Sequence, residues 1–298
     1  MPRVLRLSAA LMIAAVLLAP ALQSATAAAR APILVVAAEN FYADVVGQIA
    51  GDHVRLVSIL SDPNVDPHEY ETNSTDAVSI AKARLVIQSG IGYDDFIDHL
   101  VKASPNPDRT VIVVARLTGH KLGDNQHLWY QPETMPKVAG AVRDYLSGID
   151  PANARSYRDR TMLFVNSLRP LDEKIASLKA RYRGAPVGFT EPVFGYMAEA
   201  IGLNVLTPWD FQKAIEDGED PPARAIATVE DQLRTHKVKV LLYNVQTVTP
   251  ITTRIQQWAK QAGVPIVGVS ETEPSGKSYQ QWMLSQLDEL DKALASQK

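Results

Sequence analysis

The sequence predicts an α/β protein of two halves, each a parallel sheet covered by helices, joined by one long helix. Three observations predict it. Short, near-continuous apolar runs alternate with helical patterns on both sides of the chain's middle, as strands buried on both faces require. An apolar stripe at helical spacing fills the middle itself. The two halves also open on similar phrases, Glu39-Asn40-Phe41-Tyr42 running to Ile49-Ala50-Gly51 and Glu191-Pro192-Val193-Phe194-Gly195-Tyr196 running to Ile201-Gly202. That is a weak internal repeat.

Taken in order, residues 1–29 read as a signal peptide. Arg3 and Arg6 precede an apolar run from Leu7 to Leu22, interrupted by Ser8 and Pro20, and small residues follow from Ser24 to Ala29. A membrane span needs about 20 apolar residues without such interruptions, so cleavage near Ala29 and export to the periplasm are expected. The sequence has no cysteine, so no lipid-anchor cysteine is expected. Residues 30–149 form the first lobe, with strands at Pro32–Ala38, Val54–Leu60, Leu85–Ser89 and Thr110–Ala115.

Residues 150–184 form the linking helix. Asp150 is its N-cap, Pro151 its first turn and Gly184 its stop. Tyr157, Phe164, Leu168, Leu171, Ile175, Leu178 and Tyr182 make the stripe. About thirty residues at about 1.5 Å each make a rod of about 45 Å. Pro170 is expected to kink it, because its ring clashes with the carbonyl of Asn166. Residues 185–298 form the second lobe, with strands at Val187–Phe189, Asn204–Leu206, Lys239–Tyr243 and Pro265–Val269. Within it, Trp209–Ala223 carries Asp210, Glu216, Asp217, Glu219 and Asp220. That stretch reads as an acidic surface loop before a helix starting near Pro222.

Composition narrows the function. A chain 46% hydrophobic and 21% charged is not disordered, collagenous or a coiled coil. A net charge of −3 gives no reason for a nucleic-acid partner. The missing cysteines exclude disulfides, thiolate metal sites and cysteine nucleophiles. Nothing indicates an oligomer, so a monomer is expected.

Four residues are candidates for chemistry. His68 lies in Asp66-Pro67-His68-Glu69-Tyr70-Glu71, on a loop stiffened by Pro67, and Asn73 and Ser74 are placed to cap the next helix. His127 lies before the helical pattern Glu133–Leu146, walled by Trp129 and Tyr130. Glu191 and Glu271 each follow a strand of the second half. Each alone reads equally well as an ordinary surface histidine or loop acid. Together, two imidazoles and two carboxylates placed after strands of facing lobes make a four-residue site for a divalent first-row metal. His53, His99 and His236 have ordinary surface or helix-end settings. Glu273 and Asn244 compete with Glu271 for the fourth position.

These motifs resemble those of the metal-binding solute-binding proteins of bacterial ABC importers (cluster A-I, solute-binding protein family 9). Asp66-Pro67-His68-Glu69-Tyr70-Glu71 is similar to the family's D-P-H-x-[YF]-E loop. His127-Leu128-Trp129 with Pro132 is similar to D-P-H-x-W-x-x-P, with Asn125-Gln126 in place of Asp-Pro. The segments at Glu191 and at Ser270-Glu271-Thr272 resemble the third and fourth ligand segments. The resemblance implies two Rossmann-like (βα)4 lobes with the metal site in the cleft between them. It implies the ligands His68, His127, Glu191 and Glu271, and one zinc or manganese ion as cargo, with iron behind. It implies delivery to an inner-membrane permease driven by a separate ATPase. Glu191 stands where zinc importers often have His and manganese importers Glu, and Glu271 is one methylene longer than the usual Asp. Thr118–Gln126 carries only His120, not the His-rich loop of many zinc importers. The competing readings are a metal-free adhesin or scaffold on the same fold and, further off, a metallohydrolase. The latter is disfavoured because the chain has no H-E-x-x-H motif and no spare His near the candidates. The protein is thus expected not to be an enzyme.

Overall fold

Near-continuous apolar strands need cover on both faces, and the chain provides it twice. The computed structural model describes residues 32–63, 65, 67 and 70–297. The predicted signal peptide and His68 lie outside the described residues. The first sheet contains β1 (Ile33–Glu39), β2 (Val54–Leu60), β3 (Leu85–Gln88) and β4 (Thr110–Val113), in the order β2-β1-β3-β4. The second contains β5 (Pro186–Phe189), β6 (Asn204–Val205), β7 (Val240–Asn244) and β8 (Ile266–Val269), in the order β6-β5-β7-β8. Every pairing is parallel, with Val36 opposite Val57 and Val86, and Leu242 opposite Phe189 and Val267. The two orders are the same, so the weak sequence repeat is a repeat of topology. In each sheet the order reverses beside the first strand, and ligands of open α/β sheets bind outside the carboxyl ends of strands at such a point.

The first sheet is covered by α1 (Asn40–Ala50), α2 (Ser74–Lys82), α3 (Asp95–Ala103), α4 (Val114–Thr118) and α5 (Thr134–Ile149). As expected, Asn73 caps α2. Its side chain accepts from Thr75 N–H and Asp76 N–H, while Asp76 accepts from Asn73 N–H, which satisfies donors a helix start leaves open.

The long connecting helix requires a correction. It is two helices, α6 (Ala154–Ser167) and α7 (Arg169–Tyr182), preceded by a tight turn at Pro151–Asn153. The break falls at Leu168, two residues before Pro170. Pro170 sits in the first turn of α7, where a missing N–H costs nothing. Leu168 N–H turns to the Val165 carbonyl, and the Leu168 carbonyl accepts from Leu171 and Asp172. Asp150 fastens the entry turn by accepting from Asn153 Nδ2 and from the Tyr157 hydroxyl. The stripe residues are buried all the same, Tyr157 and Leu178 completely. α6 packs on α1 and α5 of the first half, and α7 on elements of the second.

Those elements are α8 (Gly195–Ile201) and α12 (Tyr279–Ala295); the second half also contains α9 (Trp209–Glu216), α10 (Ala223–Arg234) and α11 (Pro250–Ala262). α9 is the second correction. The stretch read as an acidic loop opens with two turns of helix that bury Phe211, Gln212, Ile215 and Glu216. Only the residues after it, up to α10, form a loop.

One apolar core joins both sheets. It runs from Val35, Phe41 and Val45 through Trp129, Tyr130 and Phe164 to Phe189, Met197, Trp282 and Leu294. Smaller clusters fill the outer faces, around Ile80 and Val86 in one half and around Phe211 and Val229 in the other. Among the described residues no helix is long and apolar enough to cross a membrane.

Candidate metal centre

The carboxyl ends of β5, β7 and β8 bring three side chains together: Glu191 follows β5, Asn244 ends β7, and Glu271 follows β8. Asn244 Nδ2 donates to Glu191 Oε2 at 2.7 Å and to Glu271 Oε1 at 2.6 Å. One amide therefore cross-links both carboxylates at the point where the strand order reverses. From the first half, His127 presents Nε2 to Glu271 Oε2 at 3.5 Å. The Tyr93 hydroxyl donates to the same oxygen at 3.1 Å. His127, Glu191 and Glu271 are all buried.

The tautomer of His127 follows from its neighbours. Asn125 Nδ2 donates to the Pro192 carbonyl at 2.8 Å, which makes Oδ1 the acceptor. That oxygen takes His127 N–H at 3.0 Å and stands 2.8 Å from Nδ1. Nδ1 therefore carries the proton in the neutral ring, and Nε2 offers a lone pair toward Glu271. Holding the far nitrogen in this way is how proteins orient a metal-binding imidazole. The departure from Asp-Pro to Asn125-Gln126 thus keeps the acceptor and adds a donor that ties this loop to the second half. Gly195 permits the approach, because a Cβ there would stand 2.6 Å from Asn125 Nδ2. The Tyr196 hydroxyl donates to the Asn125 carbonyl at 2.8 Å.

Charge is concentrated here. Burial pushes Glu191 well above the usual carboxylate range, with the Glu271 charge adding to it and the Asn244 hydrogen bond opposing it. Burial works against an imidazolium at His127, but the hydrogen bond and charge of Glu271, followed by the charges of Glu216 and Glu191, outweigh it and raise the pKa. Burial and then the Glu271 charge keep the Tyr93 phenol neutral. Two buried carboxyl groups and an imidazole nitrogen make a donor set that favours protons, which a divalent cation would displace.

Among the described residues these groups do not by themselves close into a cage of three ligands. Asn244 holds the two carboxylates, and a cation would take oxygens now turned to its amide. Of the sequence candidates, the structure brings His127, Glu191 and Glu271 together. Asn244 stands between the carboxylates instead of replacing one. Glu273 points elsewhere. Its backbone exchanges two hydrogen bonds with the Asn40 side chain, and burial, with the Asp44 charge added, pushes its carboxyl up to about 9. The loop bearing His68 reaches the second half at Val65, whose carbonyl accepts from Gln246 Nε2 at 2.9 Å. Gln246 Oε1 in turn accepts the N–H of Glu271 at 2.6 Å.

Sequence reasoning missed Glu216. Its Oε1 lies 3.7 Å from His127 Nδ1, and its side chain is 3% exposed. The signal was there: Phe211 and Ile215 are spaced four apart, the interval of a helix face, inside a stretch judged by its charge.

Residues 35–293 match the family model described as zinc-uptake complex component A, periplasmic. The chain belongs to this family. It is 26% identical to a metal ABC transporter substrate-binding lipoprotein, ScbA, of Streptococcus cristatus, over 92% of each chain. It is 27% identical to a manganese ABC transporter substrate-binding lipoprotein, PsaA, of Streptococcus mitis, over 94% of this chain and 95% of the relative. Its fold is similar to that of the periplasmic zinc binding protein TroA from Treponema pallidum. The TM-score is 0.74 at 20% identity, covering 88% of this chain and 99% of that one. This member of the zinc-uptake component A family thus has the two-sheet architecture described above. Two of these relatives are named lipoproteins, whereas the present sequence contains no cysteine.

Proposed function

We propose that the protein captures one divalent transition metal ion, zinc or manganese, and hands it to the permease of an ABC importer energised by a separate ATPase. The observation that carries this reading is the convergence of His127 Nε2, from the α4–α5 connection of the first half, on Glu271 and Glu191 at the strand ends of the second sheet, with the imidazole tautomer fixed by Asn125. His68 is the fourth ligand in this reading, supported by the tie of its loop to Gln246 beside Glu271. Family membership and the names of the relatives support the metal cargo and the transporter partner. The chain acts outside the cytoplasm, after cleavage of residues 1–29, as a monomer without a lipid anchor, and it catalyses no reaction. Two lobes, 30–149 and 185–298, with the segment 150–184 between them, grip the ion from both sides.

The carboxylates suit a hard ion such as manganese, while zinc binds at least as tightly to most mixed N/O sites. The test is titration of EDTA-stripped protein with Mn²⁺ and Zn²⁺, alone and in competition, read by heat and by unfolding temperature. One tight equivalent with a rise in unfolding temperature is expected, and His127→Ala and Glu271→Gln should each abolish it. Stoichiometric binding that survives His127→Ala sinks the site assignment. No binding by the unaltered protein favours the scaffold reading.

A further inference from the structure

A polar cavity of about 550 Å³ opens beside the candidate ligands, lined by Gly92, Gln126, Glu216, Asp217, Gln246 and Thr247. Several of these touch the metal centre. Gln126 precedes His127, and Gln246 Oε1 holds the N–H of Glu271. Thr247 Oγ1 accepts at 2.9 Å from Asn244 Nδ2, the amide that also binds both carboxylates. A path from this cavity to the ligands is therefore one side chain long.

Glu216 stands at its inner end. The residue is 6% exposed, and among the described residues its Oε1 has no hydrogen-bond donor, His127 Nδ1 standing 3.7 Å away. A buried carboxylate oxygen left in this way is costly unless something charged visits it. Its other oxygen faces outward, 3.3 Å from Lys213 Nζ, and the same ammonium pairs with Asp217. Glu219 and Asp220 follow on the adjoining surface depression. Glu216, Asp217, Glu219 and Asp220 against Lys213 and Arg254 still leave the mouth negative, and an acid-lined cleft raises the local concentration of cations.

We propose that this cavity is the port through which a hydrated divalent cation reaches the metal centre, with Glu216 as its inner relay carboxylate and Lys213 as the counter-charge that restrains it. The proposal rests on the metal-capture reading. It assigns the acidic segment a role that neither the ligand set nor the fold requires.

The experiment is rapid mixing of metal-stripped full-length protein with Mn²⁺ or Zn²⁺ at low ionic strength. Tryptophan fluorescence reports binding, because the Trp129 ring lies 5.3 Å from that of His127. Glu216→Gln, and to a smaller extent Asp217→Asn, should slow association, the former by roughly tenfold at low salt. Lys213→Met should accelerate it, and 0.5 M salt should shrink all three differences as screening sets in. A residue that merely positions His127 would change dissociation and leave association alone. Association unchanged in Glu216→Gln, or slowed equally by Glu216→Gln and Lys213→Met, overturns the port while leaving capture intact. Failure of the unaltered protein to take up metal overturns both.

Discussion

Asn125 accepts from the backbone and the ring of His127 with one atom and donates to Pro192 with the other, so substituting it should act on the metal without touching it. Asn125→Ala frees the imidazole to rotate and change tautomer. Metal affinity should fall by roughly 10- to 100-fold, the usual cost of losing such a supporting contact. Asn125→Asp keeps the acceptor for Nδ1–H but loses the donor to Pro192, so its loss should be smaller; competitive titration with a chelator ranks the three proteins. An equal loss in both variants would mean that the tie to Pro192, and not the tautomer, is what matters. Asn244 makes the complementary case. Its amide quiets two carboxylates that otherwise repel. Asn244→Ala should lower the unfolding temperature of the metal-free protein and enlarge the rise that metal produces. A metal-induced rise no larger than that of the unaltered protein contradicts this role.

The break at Leu168 falls where the connecting segment passes from packing on α1 and α5 to packing on α7's partners in the second half. Pro170 is a pre-set residue of a new first turn, not a defect in an old helix. Pro170→Ala should therefore destabilise slightly, by about 0.5–1 kcal/mol, through the freer unfolded chain. A gain in stability in chemical denaturation would instead mean that a continuous helix was being held back. The sequence made most of this architecture legible. Strands such as β1 and β7 announce themselves because a doubly covered parallel strand tolerates few polar residues, and observed bounds lie within about two residues of the expected ones. Of the proposed ligands, Glu191 and Glu271 were singled out because each falls on a strand-to-helix connection, as they do; His127 was expected after a strand too, but α4 intervenes between β4 and its loop. α9 was not legible, because five acids in a short stretch outweighed two apolar residues at helical spacing. The disturbance near Pro170 was legible as a kink, but its form, a break into two helices at Leu168, was not, because the packing on either side decides whether the turn before a proline bends or ends. Asn244's bridging role lay in a pairing between residues 191, 244 and 271, and distant partners leave no local pattern.

Across the whole molecule, four buried acids point one way. Burial raises Asp94 to about 6, Glu273 to about 9, and Glu39 and Glu191 well above the carboxylate range. A group whose folded pKa is raised binds more protons folded than unfolded, so its stability is complete below the unfolded value near 4 and drains away as pH rises through the folded one. His127, also raised, adds the same sign. In EDTA the unfolding temperature should thus fall between about pH 5 and pH 9. Saturating metal should oppose that fall, because cations compete with protons for the same ligands. A metal-free protein more stable at pH 9 than at pH 6 would refute the sign. The last helix, α12, carries a different consequence. Tyr279 donates to the Trp129 carbonyl, the Trp282 indole donates to Ser270 Oγ, and Tyr279 N–H is held by Asp44. The shared core that joins the two sheets includes Trp282, Leu287, Leu290 and Leu294 from this helix. The chain is made from the other end, so the element that seals the gap between the halves arrives after every strand of both sheets. Each half can gather its own strands earlier, but the walls of the candidate site acquire a common foundation only once α12 has emerged, and a chain clipped before Tyr279 should keep its other helices and strands while failing to hold an ion.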